Sequence, residues 1–556
     1  MPTSWYQAIS SILDQIQSEN PRSILDIGVG FGKYGLMVRE ILDLPFERYN
    51  KDQWLISIEG IEAFEKYKNP IHDYVYNKIY YGDAREVIKN LPKYDCILLI
   101  DVLEHFEKED GKKFIKELMN HVNKSLIIST PRYPAKQEEY LGNKYEEHKS
   151  KWSIIDFINY DFSYKEVQIG YNFAELFQIF PKENINKQFN NIINIDKSNI
   201  DKKKLSIGYI LPHKNLTGGL KMLLSQMKEL RKRGHKIVGF IKGKEGDTVI
   251  PEWFDTKIDQ EVIVPLDKSY IEYIDQCDVV VCGFFNQIYE LKDSKIPVVY
   301  CEQGSEFIFG DYGDLSSKHP YREELLKIYR CNFNLASVSE TISKVLKARF
   351  NRESYIIPNF IDIDLYYTES HQFNNSILLV GNPGLKFKGF NTAVQTLQKV
   401  WDMGYRFSVN WICQVIPQIK GINFPINFIE KPSQKDLAEY YRKSDLFLFT
   451  SVYEGFGMPP LEAMASGVPV ITTNCGGINE FITNGYNGLV SDVYDSDSLS
   501  SLLISVLTNE ELRESLSKRG RETALNFNID NSISKLEEYL LSIVSESKEK
   551  QIQSEG

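Results

Sequence analysis

Three times along this chain a short β-rich run gives way to an amphipathic helical stretch and opens a new strand–helix series. The openings are SILDIG at 23–28, KLSIGYIL at 204–211 and ILLVG at 377–381. Strands that alternate with helices pair in parallel, because the chain must cross back before it can add the next strand. The pattern therefore predicts α/β domains with parallel sheets covered by helices on both faces. A length of 556 residues fits three domains at about 100–200 residues each. The alternation lapses over 184–203, an Asn- and Lys-rich stretch read as a linker, and again at TESHQFNNS. The expected division is 1–183, a linker at 184–203, 204–368, 369–545, and a charged end at 546–556 expected to fray.

The stretch YEGFGMPPLEAMASGVPVITTNCGGINEFI, 453–482, carries the densest chemistry. Gly455 and Gly457 let a ligand approach the backbone, and Phe456 stands between them. A helix beginning near Pro459 turns its positive end toward that approach, which suits a diphosphate. Glu462, on this helix, is placed to accept hydrogen bonds from a ribose diol, and Glu454, before the turn, to reach a sugar hydroxyl.

These residues resemble the E-x(7)-E region of the group-1 retaining glycosyltransferases, a family of GT-B architecture. Further resemblances cover roughly 204–530. Gly218 and Gly219 match the family's glycine loop after its first strand, and ILLVGNPGLKFKGF matches the donor-phosphate loop. The resemblance implies a nucleotide-diphosphate sugar as donor and a glycan or lipid-linked acceptor. Lys388, with Lys386 as its stand-in, is the expected cation against the departing diphosphate, which gathers negative charge. Two positions depart from the family pattern. Asn382 replaces an arginine, and Gln303 stands where relatives often carry a histidine, with Glu306 close behind. Gln303 can hydrogen-bond but cannot act as a general base at neutral pH. Asp362 and Asp364 have D-x-D spacing but sit near the hinge, so no metal is expected for sugar transfer.

In the first third, DIGVGFG at 26–32 places Asp26, Gly28, Gly30 and Gly32 at a strand-to-helix turn. That turn alone does not separate a dinucleotide from S-adenosylmethionine. Three later features weigh toward the second: Glu62 after the next strand, with Glu59 as the alternative; Asp83 in IYYGDAREVI; and Asp101, Glu104 and His105 in CILLIDVLEHF. Their order resembles class I S-adenosylmethionine-dependent methyltransferases over roughly 20–175. The resemblance implies a Rossmann-like domain in which Glu62 meets the ribose hydroxyls and Asp83 the adenine amino group. For the base that deprotonates an acceptor, His105 is one candidate. His148 is the other, in NKYEEHKSKWSIIDF beside Glu146, Glu147 and Trp152. A metal in that stretch is set aside because its ligands are too few.

A net charge of −11 argues against a broad nucleic-acid surface. The seven cysteines form no C-x-x-C pair and fall mostly in apolar runs, as expected of free thiols in a reducing compartment. With no secretory pattern and no long apolar run, the expected location is cytoplasmic, with peripheral contact at the inner face of a membrane left open. The combined expectation is a bifunctional enzyme that transfers a sugar and methylates a sugar hydroxyl. The alternative is a glycosyltransferase with a non-catalytic S-adenosylmethionine-binding module.

Overall fold

The computed structural model describes residues 4–139, 142–170, 172–181, 204–215, 217–312, 319–419 and 421–555. The chain forms two compact units, Met1–Asn191 with Lys347–Arg349, and Ile192–Leu346 with Phe350–Gly556. The linker expected at 184–203 lies outside the described residues. No described helix is long and apolar enough to cross a membrane.

The first unit is built on one seven-stranded sheet. Its strands are β1 (Ser23–Ile27), β2 (Ser57–Glu62), β3 (Lys78–Tyr81), β4 (Tyr94–Ile100), β5 (Val122–Pro131), β6 (Asp161–Ile169) and β7 (Asn172–Phe180), in the order β3-β2-β1-β4-β5-β7-β6. The central strands β1 and β4 carry apolar runs, as burial on both faces requires; Ile24, Leu25, Ile97, Leu98 and Leu99 are all inaccessible to solvent. β1 to β5 pair in parallel, but β7 runs antiparallel to both β5 and β6. Uniform parallel pairing was the expectation. It fails here because only residues 170 and 171 separate β6 from β7, too few for a crossover helix.

The second unit holds two wholly parallel sheets. The first comprises β8 (Ser206–Ile210), β9 (Lys236–Lys242), β10 (Gln260–Val264), β11 (Val279–Cys282), β12 (Val298–Glu302), β13 (Asn334–Ser337) and β14 (Tyr355–Ile356), ordered β10-β9-β8-β11-β12-β13-β14. The second comprises β15 (Ser376–Val380), β16 (Ser408–Cys413), β17 (Ile426–Glu430), β18 (Leu446–Phe449), β19 (Val470–Thr473) and β20 (Leu489–Ser491), ordered β17-β16-β15-β18-β19-β20. In each, the strand order reverses between the first strand and the fourth, the switch point beside which open α/β sheets bind ligands.

The last helix, Ile529–Glu555, runs across the division at 545. Ile533, Leu536, Leu540 and Ile543 pack into the core of the β8–β14 sheet. Tyr539 stacks on Tyr355 with ring centroids 4.6 Å apart and donates from its hydroxyl to Leu335 O at 3.2 Å. Its apolar face lies at helical spacing, so burial rather than chain order decides which sheet it joins.

Candidate functional site

Each unit gathers its chemistry-bearing residues at the ends of its central strands. In the first unit the chain leaves β1 and turns through Gly28, Gly30 and Gly32, at φ of 78°, 54° and 87°. A Cβ on Gly28 would stand 2.5 Å from Val102 Cγ2, so the turn has no room for a side chain there. This turn, the ends of β2 and β4 and the segment after β5 enclose a cavity of about 1020 Å³. Ligand sites typically span about 300–1,000 Å³, so there is room for a cofactor and part of an acceptor together.

The cavity wall brings together Asp26, Glu62, Asp83, Asp101, His105 and His148 with the three glycines. Glu62 Oε2 accepts from Gly30 N and its Oε1 from Phe64 N, both at 2.8 Å, so the carboxylate is held against the glycine turn. Burial pushes its pKa up to about 7. Glu59, the alternative, is absent from the wall; its carboxylate accepts from the Tyr94 and Tyr80 hydroxyls at 2.6 and 3.2 Å. Asp26 accepts from the Tyr76 hydroxyl at 2.6 Å, and burial raises its pKa to about 6. Asp83 caps the short helix Ala84–Val87 and pairs with Arg85 at 2.6 Å, whose hydrogen bonds hold its carboxyl below the ordinary range. Asp101 has left-handed backbone, φ 52°, and accepts from Ser129 Oγ at 2.6 Å.

His105 and His148 face one another with ring centroids 5.0 Å apart. Burial pulls the His105 pKa down to about 4, so its ring is neutral at ordinary pH. Glu104 is buried, and its Oε2 has no hydrogen-bond partner. Burial, then the nearby Asp101 charge, raise the Glu104 pKa well above the carboxylate range. Trp152 is a structural residue instead. It is buried beneath this segment, and its indole donates to Leu103 O at 3.2 Å and Ser150 Oγ at 2.9 Å.

In the second unit the turn at 453–457 meets the loop after β12. A Cβ on Gly455 would collide with Gln303 O, and one on Gly304, at φ 103°, would stand 2.5 Å from Gly455 Cα. Ser339 Oγ donates to Gly455 O at 2.6 Å and Thr341 Oγ1 to Gly476 O at 3.1 Å, clamping both glycine loops. Lys388 Nζ stands 2.7 Å from Glu454 Oε1, which also accepts from Ser451 Oγ at 2.7 Å. Glu462 is buried on the helix Met458–Ala465; its Oε1 accepts from Lys221 Nζ and the Tyr366 hydroxyl, both at 3.0 Å. Gly457, at φ 94°, caps that helix. Gln303 Nε2 donates to Gly219 O at 3.1 Å, tying the loop after β12 to the start of the helix Gly218–Lys232. A side chain on Gly218 would meet nothing within 4 Å.

Residues 418–523 match the family described as Glycosyl transferases group 1. Sucrose-phosphate synthase from Thermosynechococcus elongatus has a similar structure, with a TM-score of 0.50 at 15% identity over 64% of this chain and 100% of that one. Anabaena HepE, in complex with UDP and glucose, is similar at a TM-score of 0.50 and 13% identity, over 61% of this chain and 100% of that one. This chain carries the GT-B glycosyltransferase fold. Among sequences, an uncharacterized glycosyltransferase of Methanocaldococcus jannaschii is 26% identical over 201 residues, 35% of this chain and 56% of that protein. N-acetyl-alpha-D-glucosaminyl L-malate synthase of Bacillus anthracis is 36% identical over 111 residues, 20% of this chain and 29% of that protein. The chain thus spans about half the length of the first of these relatives and less of the second.

Within the GT-B fold several expected residues take particular places. Phe456 turns its ring into an aromatic cluster, 5.4 Å from Phe481 and 5.7 Å from Phe527 between centroids. Its side chain therefore packs in the core, because burying a ring outweighs exposing it. Lys386 is exposed on the same short turn as Lys388. Asn382 shapes its loop, accepting from Gly384 N at 2.9 Å and donating to Gln414 at 3.1 Å. Asp362 accepts from Asp364 N at 3.1 Å within a hinge turn.

Three residues escaped the sequence reading. Lys221 and Tyr366 reach Glu462 from 241 and 96 positions away, a contact with no local signal. Glu302, fully buried, accepts from Gly304 N, Ser305 N, Ser305 Oγ and the hydroxyls of Tyr300 and Tyr329, all within 2.9 Å. It holds the loop that presents Gln303, and its signal was adjacency alone.

Proposed function

We propose that the chain is a bifunctional enzyme of glycan biosynthesis. The GT-B unit transfers a sugar from a nucleotide-sugar donor to a glycan or related acceptor with retention, and the first unit methylates a hydroxyl with S-adenosylmethionine. The observation that carries the sugar-transfer reading is the Lys388–Glu454 pair beside a glycine turn and a helix N-terminus. When the bond from the anomeric carbon to the diphosphate breaks, Lys388 and the positive end of the helix Met458–Ala465, which keeps the N–H of Met458 but has none at Pro459 and Pro460, oppose the charge that develops. The acceptor oxygen bonds that carbon on the face the diphosphate leaves, and its proton passes to the departing phosphate. Gln303 orients by hydrogen bonding and need not be a base.

For the first unit, support comes from the cavity's fit. The collision at Gly28 marks a cradle that a side chain would fill, and Glu62 keeps acceptor lone pairs beside it. S-adenosylmethionine bound there would supply an electrophilic methyl group. Glu62 would hold its ribose hydroxyls and Asp83 its adenine amino group, and His105 and His148 line the same cavity. The strand order, with β7 set antiparallel between β5 and β6, suits the same reading.

A thermal-shift screen of the whole chain against nucleotide sugars, with and without S-adenosylmethionine, tests both halves, because a ligand that binds the native state raises its melting temperature. Stabilisation by one nucleotide sugar and by S-adenosylmethionine is expected. No response to any nucleotide sugar from folded protein overturns the sugar-transfer reading, and none to S-adenosylmethionine overturns the methylation reading. Binding of S-adenosylmethionine without turnover on any glycan would leave a non-catalytic module.

A further inference from the structure

The cavity of the first unit contains a donor set that sugar transfer and cofactor binding do not use. One carboxylate oxygen of Glu104 and one ring nitrogen each of His105 and His148 lie within 4.8 Å of one another. The two imidazoles are held in the same way. His105 Nδ1 bonds to Glu147 O at 3.1 Å and His148 Nδ1 to Ala135 O at 2.7 Å. A ring that donates Nδ1–H to a carbonyl presents the Nε2 lone pair, the arrangement in which protein imidazoles hold metal ions. Between them Glu104 is 2% exposed, and its Oε2 has no hydrogen-bond partner. A buried carboxylate oxygen without a donor is costly, and a cation is one of the few groups that satisfies it. The backbone fixes the set, since Glu104 O accepts from Lys149 N at 2.8 Å and Ser150 N at 3.1 Å, anchoring the segment that carries His148.

We propose that Glu104, His105 and His148 form a mononuclear site for a divalent first-row transition cation, of the zinc or manganese class. Two imidazoles and one carboxylate suit such ions and leave coordination positions open. Those positions face the cavity and take water or a hydroxyl oxygen of the acceptor. Only this last use rests on the methylation reading; the site itself does not. The two histidines then act as ligands rather than as bases. The sequence alone set a metal aside for want of ligands around His148; the fold supplies two from the end of β4, more than forty residues earlier.

The test is titration of the full-length protein, stripped with a chelator, with MnCl₂ and ZnCl₂ by calorimetry, and with Mn²⁺ followed by electron paramagnetic resonance. One saturable equivalent per chain is expected. His148→Ala, at a half-exposed position that folding tolerates, and His105→Ala each weaken it by about 10–100-fold or more, since loss of an outer-shell partner alone reaches that range. His121→Ala, outside the cavity, binds as wild type. Folded wild-type protein that takes up neither ion stoichiometrically overturns the proposal, as does unchanged affinity in both cavity variants. Stoichiometric binding without methyl transfer sustains the site while overturning the methylation reading.

Discussion

Lys221 Nζ lies 3.0 Å from Glu462 Oε1, joining the first helix of one Rossmann half to the helix behind the glycine turn of the other. The carboxylate proposed to receive a ribose diol is therefore already oriented by a cation and by the Tyr366 hydroxyl. Lys221→Met leaves Glu462 with Tyr366 and is expected to weaken donor binding by roughly 3–10-fold, the worth of about one ordinary hydrogen bond, because Lys221 acts through Glu462. Glu462→Ala raises the donor KM more steeply. Calorimetry with the donor found by screening checks both, and wild-type affinity in Glu462→Ala removes that residue from the site.

Lys388→Ala is expected to lower kcat by about 10²–10³-fold, the range for loss of one group that stabilises developing charge. Donor affinity changes less, because the charge it opposes appears during transfer. Steady-state kinetics separate the two effects. Unchanged turnover would shift the role to Lys386.

The glycines make opposite predictions. Gly455→Ala drives a methyl group into Gln303 O and lowers the melting temperature, at a cost of about 1–3 kcal/mol for overpacking. Gly218→Ala meets nothing within 4 Å and leaves stability intact. If the diphosphate approaches the backbone there, the same variant raises donor KM. Thermal denaturation and kinetics on the two variants distinguish fold from ligand contact.

Glu62 carries a pH signature. Its pKa in the folded chain, about 7, lies above the ordinary 4.5, so between those values the folded state holds a proton that the unfolded chain has released. Stability from this group is fully present below about 4.5, falls as pH rises through about 7, and levels off above it. Glu62→Gln flattens that fall. S-adenosylmethionine affinity should rise over the same window, because the ionised carboxylate is the better acceptor for ribose hydroxyls. Melting curves and binding titrations from about pH 5 to 8 check both slopes.

The parallel sheets were legible because strands buried on both faces are continuous apolar runs, as in the CILLI of β4 and the VVVC of β11. The glycine turns were legible because tight backbone approach leaves few residue choices. The β6–β7 hairpin was not, since β6, DFSYKEVQI, mixes polar with apolar residues as an edge strand of either direction does, and only the shortness of its connection to β7 sets its sense. Nor were the partners of Glu462, because a salt bridge spanning 241 positions leaves no periodicity to read. Glu104 and His105 stood out as an acidic strand end. What they face depends on a segment whose course no spacing rule predicts.

The return of Ile529–Glu555 to the β8–β14 core has a consequence for the order of events at the ribosome. The strands of that sheet are made first, yet Leu536 and Leu540, which cover it, follow only after the whole β15–β20 sheet. Until this helix emerges, the sheet keeps an uncovered apolar face. A break in the chain ahead of Ile529 would therefore uncover a sheet whose strands were complete before β15 began.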